Sequence, residues 1–456
     1  MSQPPSASEV IALLEKHNCQ KVKLAVTDMD GVLRGKSVHV DKFRSIVKSG
    51  FGFCNVVLGW DCADVCYENS DFTGWHSGYP DALVKIDLST MRNIPWDQGI
   101  PFFLGDFYDA DGVNALSICP RNILKKVLGK FRDLGFEAKV GCEYEWFNFR
   151  ESPESLNEKG HQQPKPISPG MFGYSLLRSD LSSEYFNDLQ DLLGAFNVPI
   201  EGLHTETGPG VYEAAISCSE ALEAADRACL FKTGVKQIAM RHGITASFMA
   251  RWSPDLPGSS GHIHQSLLDS NGRNVFFAAD DSLEMSQVFK HYLAGLILGS
   301  RELLPMMAPT INSYKRLVKG FWAPTSATWG LDNRTCAFRV IKGGENASRL
   351  EVRIPGADMN PYLSLSACLA AGLYGIEHKL ELSQEMVKGN GYECDISSPF
   401  PTNLRDAAMI FSESKIAEAM FGKEFVRHYS QTRLWEWEQY EKAVTDWELK
   451  RYFEII

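Results

Sequence analysis

No two of the eleven cysteines stand as a CxxC pair, and their number is odd. Tetrahedral zinc cages need closely spaced thiolates, so a structural zinc site is not expected. Cys54, Cys62 and Cys66 gather loosely, whereas Cys142, Cys218, Cys229, Cys336 and Cys368 sit in core-like runs, which points to reduced, buried thiols in a cytosolic protein. No apolar run is long enough to cross a bilayer, and residues 1–8 lack the basic and apolar regions of a signal peptide, so a cytoplasmic location is expected. Positive charge is in short supply. The 46 Lys and Arg against 57 Asp and Glu leave a formal charge of −11, which argues against a nucleic-acid groove or a membrane-surface patch. Neither a GxGxxG nor a GxxxxGKS/T motif occurs, so a nucleotide must be held in some other way. Internal repeats and low-complexity tracts are absent as well.

What remains is an ordinary globular composition over 456 residues, room for two or three domains at about 150 residues each. Residues 8–17 read as a short amphipathic helix. Residues 22–28 and 32–40 read as strands joined at Asp30-Gly31, and 51–58, 83–88 and 102–107 as further strands. This leading part, residues 1–113, is β-rich. From Pro120, which suits the first turn of a helix, strands and helices alternate in mixed order to residue 456. Residues 152–169 are polar and Pro-rich, a surface loop. Ser217 and Glu220 have the spacing of a capping box for a helix over 218–241. Asn360-Pro361 opens another helix, apolar on every side over 363–373 and therefore buried. The mixed order predicts an α+β fold with antiparallel sheet, not a doubly wound one.

Chemistry concentrates in the second part. Residues 137–140 lead as a strand into Glu143 and Glu145, which at i and i+2 share one face and repel each other. A solvated edge strand and a metal site both accommodate that pair. His262-Ile263-His264 and Glu351-Val352-Arg353 repeat the spacing, so three strands present paired polar groups to one floor. Glu206 and Glu213 flank a Gly-Pro-Gly turn, which is either a capped surface turn or a fold that brings both to a common point. Five carboxylates and one imidazole (Glu143, Glu145, Glu206, Glu213, Glu351 and His262) suit Mg²⁺ or Mn²⁺, and six ligands are too many for a single Mg²⁺ that keeps its waters. Arg316, Arg334, Arg339, Arg349 and Arg353 lie close by in sequence and offer bidentate forks for carboxylate or phosphate. Ions among carboxylates beside such cations are the equipment of phosphoryl transfer.

Six ordered blocks carry a resemblance: GCEYEWF (141–147), HTETGPGVYEAAI (204–216), GSSGHIHQSL (258–267), NSYKRLV (312–318), DNRTCAFRV (332–340) and RLEVRIPGADMNPYLSLSACLAAGL (349–373). The chain resembles the glutamine synthetase superfamily over nearly its whole length. The resemblance implies a small β-grasp-like N-terminal domain (1–113) and a larger catalytic domain (114–456) with a mainly antiparallel curved sheet. It also implies a homo-dodecamer of two hexameric rings with active sites between neighbouring subunits. By position, Glu145, Glu206 and Glu213 would hold a first metal and Glu143, His262 and Glu351 a second, with two or three Mg²⁺ or Mn²⁺ ions per site. Arg316, Arg353 and Gly258 would bind glutamate. Arg334 and Arg339 would steady the transferring phosphate, with Glu206 also counted among the catalytic groups. Ser266, Glu201 and Arg339 would lie at the nucleotide. The implied reaction forms γ-glutamyl phosphate from glutamate and ATP, and an amine then displaces phosphate.

Departures from the family pattern bear on the amine. Where glutamine synthetases carry an Asp in an FDGSS-like segment, this chain reads FGFCNVV (51–57), and Trp322 stands where their flap has a Glu. Pro257 replaces an Asn beside the glutamate loop, and the adenylylated tyrosine motif is not recognisable. Residues 27–36, Trp329-Gly330 and Gly356-Ala357-Asp358 are similar to γ-glutamylpolyamine synthetases and related γ-glutamylamide ligases. An indole at position 322 suits a larger amine, through its carbon chain or a distal ammonium. The expected activity is thus ATP-dependent ligation of glutamate to a polyamine such as putrescine or to a small monoamine. The alternatives are an ordinary glutamine synthetase using ammonia and a structural member without catalysis. His264 is expected to be a core or supporting histidine.

Overall fold

The computed structural model describes residues 5–394 and 399–456. Two sheets organise them. Strands β1 (Lys21–Thr27), β2 (Leu33–His39), β3 (Phe51–Cys54), β4 (Asp81–Ile94) and β5 (Ile100–Tyr108) form a sheet of order β2-β1-β5-β4-β3. In it only β1 and β5 run parallel; the other pairs are antiparallel. The expected strand over 51–58 is half realised. It ends at Cys54, and Asn55–Leu58 winds into a 3₁₀ turn.

The second sheet is built on β6 (Glu137–Phe149), a 13-residue strand with neighbours along both edges. Its partners are β7 (Ile200–Thr205), β8 (Val211–Ile216), β9 (Ser219–Glu220), β10 (Thr245–Ser247), β11 (Gly261–Leu268), β12 (Trp329–Leu331), β13 (Phe338–Ile341) and β14 (Arg349–Val352). The path β12-β13-β14-β11-β6-β8-β7 is antiparallel throughout except for β12 beside β13. An α+β architecture with a mainly antiparallel sheet is what the mixed element order predicted.

One face of the second sheet is apolar. Tyr144 and Trp146 of β6 stack and edge against Phe231 and Phe248, with centroids 5.5–6.1 Å apart. Phe231 belongs to the helix Ala221–Arg241. The capping residue of that helix is Glu220, whose carboxylate accepts from the Leu222 and Glu223 N–H groups; Ser217 instead donates its backbone N–H to Pro199. The capping box read at Ser217 is thereby corrected: the pairing of β9 carries the chain extended through Glu220, so the helix starts later. The helix Pro361–Glu377, buried on all sides through Leu373, packs against Ala221–Arg241, Pro120–Asp133 and Gln287–Gly299. Asn360 caps it, accepting from Tyr362, and donates its side-chain amide to Met29 of the N-terminal hairpin. The polar stretch 152–169 holds a six-residue helix, Pro153–Glu158, in which no residue is buried.

Arg121 joins the two sheets. Its guanidinium pairs with Asp106 on β5 and with Asp226 in the helix Ala221–Arg241, at 2.8–2.9 Å, and the Tyr362 hydroxyl also donates to Asp226. All four side chains are buried. Cys218, read as a core thiol, is exposed at the end of β8, and no cysteine among the described residues is disulfide-bonded. No described helix is long and apolar enough to cross a membrane.

Candidate active site

The polar face of the second sheet is laid out by register alone. Directly opposed residues of neighbouring strands share a face, as do residues i and i+2 of one strand. Glu143 lies opposite His262, Glu145 opposite Glu213, and Glu213 opposite His204. His264 lies opposite Glu351, and Glu351 opposite Arg339. Chain segments more than two hundred residues apart thus deliver acids and bases to one floor.

That floor lines a cavity of about 540 Å³. Of the residues expected there, Glu143, Glu145, Glu206, Glu213, His262, Glu351, Arg334, Arg339, Arg353, Gly258 and Trp322 line it together. Glu201 and Ser266 do not. They line an adjoining cavity of about 330 Å³ that shares Glu143 with the first and is flanked by Lys139, His264 and Arg349. Arg316 is not among the lining residues. It is buried behind the floor, where it donates to the Ile354 carbonyl (2.8 Å), the Ser260 hydroxyl (3.0 Å) and the Arg353 carbonyl (3.3 Å). Its guanidinium therefore reaches the cavity by holding Arg353 and Ser260. Gly258 is required where it stands: a Cβ there would lie 2.4 Å from the Ala250 carbonyl and 2.8 Å from Arg316 Cγ. Gly210, with φ of +72°, lets the turn between Glu206 and Glu213 pass against the Asn148 carbonyl, 2.7 Å from where a Cβ would sit.

Two halves of the floor differ electrically. His262 Nδ1 lies 3.6 Å from Glu143 and 3.5 Å from Glu351. Burial opposes charge on Glu143, but the neighbouring His262 and His264 outweigh it and hold the carboxyl well below the usual range. At Glu351 burial is likewise overcome, by His262, Arg353 and His264, and the carboxyl is held down to about 2. Arg339 reinforces this at 2.8 Å. Burial and then Arg353 pull His262 down to about 4, so its imidazole is neutral, and its Nε2 has no partner among the described residues. His264 accepts from Arg349 Nε at Nδ1, which places its proton on Nε2, 3.2 Å from Glu143. That Nε2 has no hydrogen-bond partner among the described residues, and His264 can bring a ligand atom within 4.8 Å of Glu143 and Glu351, so it is placed to serve as a ligand as well as a support.

In the other half no Lys or Arg forms an ion pair with the acids among the described residues, and Arg316 and Arg353 act on them only from a distance. Burial, then Glu145, Glu143 and Glu206, push the Glu213 carboxyl up to about 10. Burial raises Glu145 too, opposed only in part by the Ser260 N–H at 2.8 Å and by Arg316. Glu143, Glu213 and His262 can each bring one ligand atom within 4.8 Å of the others, as can His204, Glu206 and Glu213. A neutral imidazole among oxygen donors that would repel one another if all were ionised is a donor set suited to hard divalent cations.

Two residues that sequence reasoning passed over face the same cavity. His204, inside a quoted motif but given no role, stacks on Tyr174 with centroids 4.4 Å apart and lies 3.6 Å from Glu213. Tyr174 carries no local signal. It is placed by its own N–H to the Thr205 carbonyl, and the Thr205 hydroxyl pins Phe172 nearby. Only the alternation of β7, which puts His204 on the face of Glu213, could have pointed to the histidine.

A family model described as the glutamine synthetase catalytic domain matches residues 117–452. A Dictyostelium discoideum protein named type-1 glutamine synthetase 2 is 52% identical over 95% of this chain and 84% of its own length. A Pseudomonas protein named glutamate–isopropylamine ligase is 39% identical over 97% of both. Among solved structures, ligand-free GmaS superposes with a TM-score of 0.85 at 25% identity, covering 98% of this chain and all of that one.

Proposed function

The chain belongs to the glutamine synthetase family, close to its γ-glutamylamide synthetases, and from that premise we propose that it joins the γ-carboxylate of glutamate to a primary amine, driven by ATP through γ-glutamyl phosphate. ATP-dependent γ-glutamyl ligation is the chemistry its relatives share. The observation that carries the reading to this chain is the floor itself, on which five carboxylates, His262 and three arginines meet in one cavity.

Glu145, Glu206 and Glu213 would hold one divalent ion and Glu143, His262 and Glu351 another, and ions held there would supply positive charge against the phosphate oxygens. The nucleotide lies in the cavity of Glu201 and Ser266, on the far side of Glu143. Arg334 forms no ion pair among the described residues and is free to meet the transferring phosphate, with Arg339 beside it. Glutamate's carboxylates are held by Arg353, with Arg316 behind it and Gly258 on the loop. The aromatic residues at the rim, Phe321 and Trp322, would limit water and so protect the acyl phosphate until the amine attacks. The boundary between N-terminal and catalytic domains near residue 113, the dodecamer and the cytoplasmic location belong to the same reading.

The 52% identical relative bears the name of a glutamine synthetase, which favours ammonia as a second reading. Phosphate release measured with glutamate, ATP and Mg²⁺ across a panel of amines, with the products weighed by mass spectrometry, separates the two. An amide larger than glutamine is expected as the main product, and glutamine in that place contradicts the proposal.

A further inference from the structure

Arg251 stands outside the cavity yet touches the segments that shape it. Residues 250–259 form a loop closed at its neck, where the Ser259 N–H donates to the Ala250 carbonyl at 2.8 Å. Pro257 and Gly258, near its end, line the cavity. The Arg251 guanidinium fills the loop: Nε donates to the carbonyls of Ser253 and Leu256, both at 3.2 Å, and Nη2 to that of Pro254 at 2.6 Å. Asp255 of the same loop favours its charge against burial. Nη1 crosses to the Lys315 carbonyl at 2.8 Å, on the helix Ser313–Arg316 whose last residue holds Arg353 from behind. The main chain of Arg251 is tied to the start of that helix, because the Asn312 side chain accepts from its N–H at 2.7 Å and donates to its carbonyl at 2.8 Å.

The face of the same guanidinium carries the ring of Phe321, with the centroid 4.3 Å away. Phe321 lines the cavity beside Trp322. Gly320 and Trp322 flank it at φ of +84° and +60° and are exposed, whereas the ring between them is half-buried. A planar fork meets carbonyls along its edges and an aromatic ring on its face at once, which an ammonium cannot do. Resting on the ligase reading above, we propose that Arg251 is a positioning residue that joins the glutamate loop, the helix of Arg316 and the turn of Phe321 into one unit, so that a single side chain sets both the glutamate site and its cover. Without it the loop loses its interior donors, Gly258 and the Arg316–Arg353 pair lose their mutual placement, and the Phe321 ring is released from the rim. Water then attacks the acyl carbon of γ-glutamyl phosphate and breaks its bond to the phosphate oxygen. Free glutamate, inorganic phosphate and a proton result, so ATP is consumed without amide.

The test uses the full-length protein with Mg²⁺, ATP and glutamate, and hydroxylamine as acceptor, because it traps γ-glutamyl phosphate whichever amine the site prefers. Phosphate released is compared with hydroxamate formed, and in the wild type the two are expected to match. Arg251→Ala is expected to raise KM for glutamate about tenfold or more, to leave KM for ATP within about twofold, and to release phosphate in excess of hydroxamate. Arg251→Lys keeps a cation for the Phe321 ring without the fork, so the excess phosphate should recover further than KM for glutamate. Phe321→Leu removes the ring alone and should release excess phosphate with a smaller rise in KM for glutamate than the Arg251 variants show. An unmoved KM for glutamate in Arg251→Ala overturns the inference, as do KM values for glutamate and ATP that rise together, the result of a general loss of structure. Phosphate matched to hydroxamate in Phe321→Leu overturns it too, and that variant decides even where Arg251→Ala does not fold. Hydroxamate from the wild type with the variants unchanged overturns this inference alone. Absence of hydroxamate from the wild type overturns the ligase reading with it.

Discussion

Glu213 faces Glu145 across one strand pair and His204 across the next, and without a cation its buried carboxyl holds its proton up to about pH 10. Unfolded, the same group titrates near 4.5. Between those values the folded metal-free protein binds the extra proton, so its stability is greatest at the acid end and falls as pH rises through the window. A divalent ion takes the place of the proton. The rise in Tm on adding Mg²⁺ is therefore expected to grow from pH 6 to pH 9, and calorimetry in buffers of different ionisation heat should record proton release on binding. Glu213→Gln removes the repulsion together with the ligand. Its Tm without metal should match or exceed that of the wild type, its Mg²⁺ increment should shrink, and kcat should fall about 100-fold or more, the scale of losing one preorganised charge-stabilising group. Arg334→Ala tests the free cation in the same way: a fall in kcat of about 100-fold is expected, with little change in KM for ATP.

The element that decides the site is β6, and its alternation made much of the site legible. Period-two spacing put Glu143 with Glu145, His262 with His264 and Glu351 with Arg353, and the ladder set them opposite one another. A slip of one residue between β6 and β11 would turn one strand's pair into the apolar core, so burial of Tyr144 and Ile263 on the reverse face fixes the register. What local pattern could not supply was tertiary. Tyr174 is held by its N–H to the carbonyl of Thr205, on a strand about thirty residues on, and Arg316, on a four-residue helix, points behind the floor because Gly258 leaves room for its stem. The start of the helix at Ala221 shifted because strand pairing outranked a capping pattern. Asn360, by contrast, was readable as a cap, but its second bond to Met29 was not. Asn360→Ala loses both and should cost about 1–2 kcal/mol of stability, the upper part of the range for a cap, measured by denaturant titration.

Across the whole molecule, the two sheets share one core, from Val26 and Phe102 of the first to Val140 and Ile263 of the second, with Arg121 buried beside it, paired with the buried Asp106 and Asp226 and with the half-buried Asp87 at 2.9 Å. Arg121→Met leaves the buried carboxylates of Asp106 and Asp226, and that of Asp87, with one partner fewer each and should destabilise the fold by about 3–5 kcal/mol, seen as a lower unfolding midpoint with the m-value retained. Everything proposed about function depends on ions on the polar face of the second sheet. Diffraction at the manganese edge from crystals grown with Mn²⁺ and ADP tests this most directly. At least two anomalous peaks are predicted, one among Glu145, Glu206 and Glu213 and one among Glu143, His262 and Glu351. A floor without peaks, or manganese bound only elsewhere on the protein, would contradict the account.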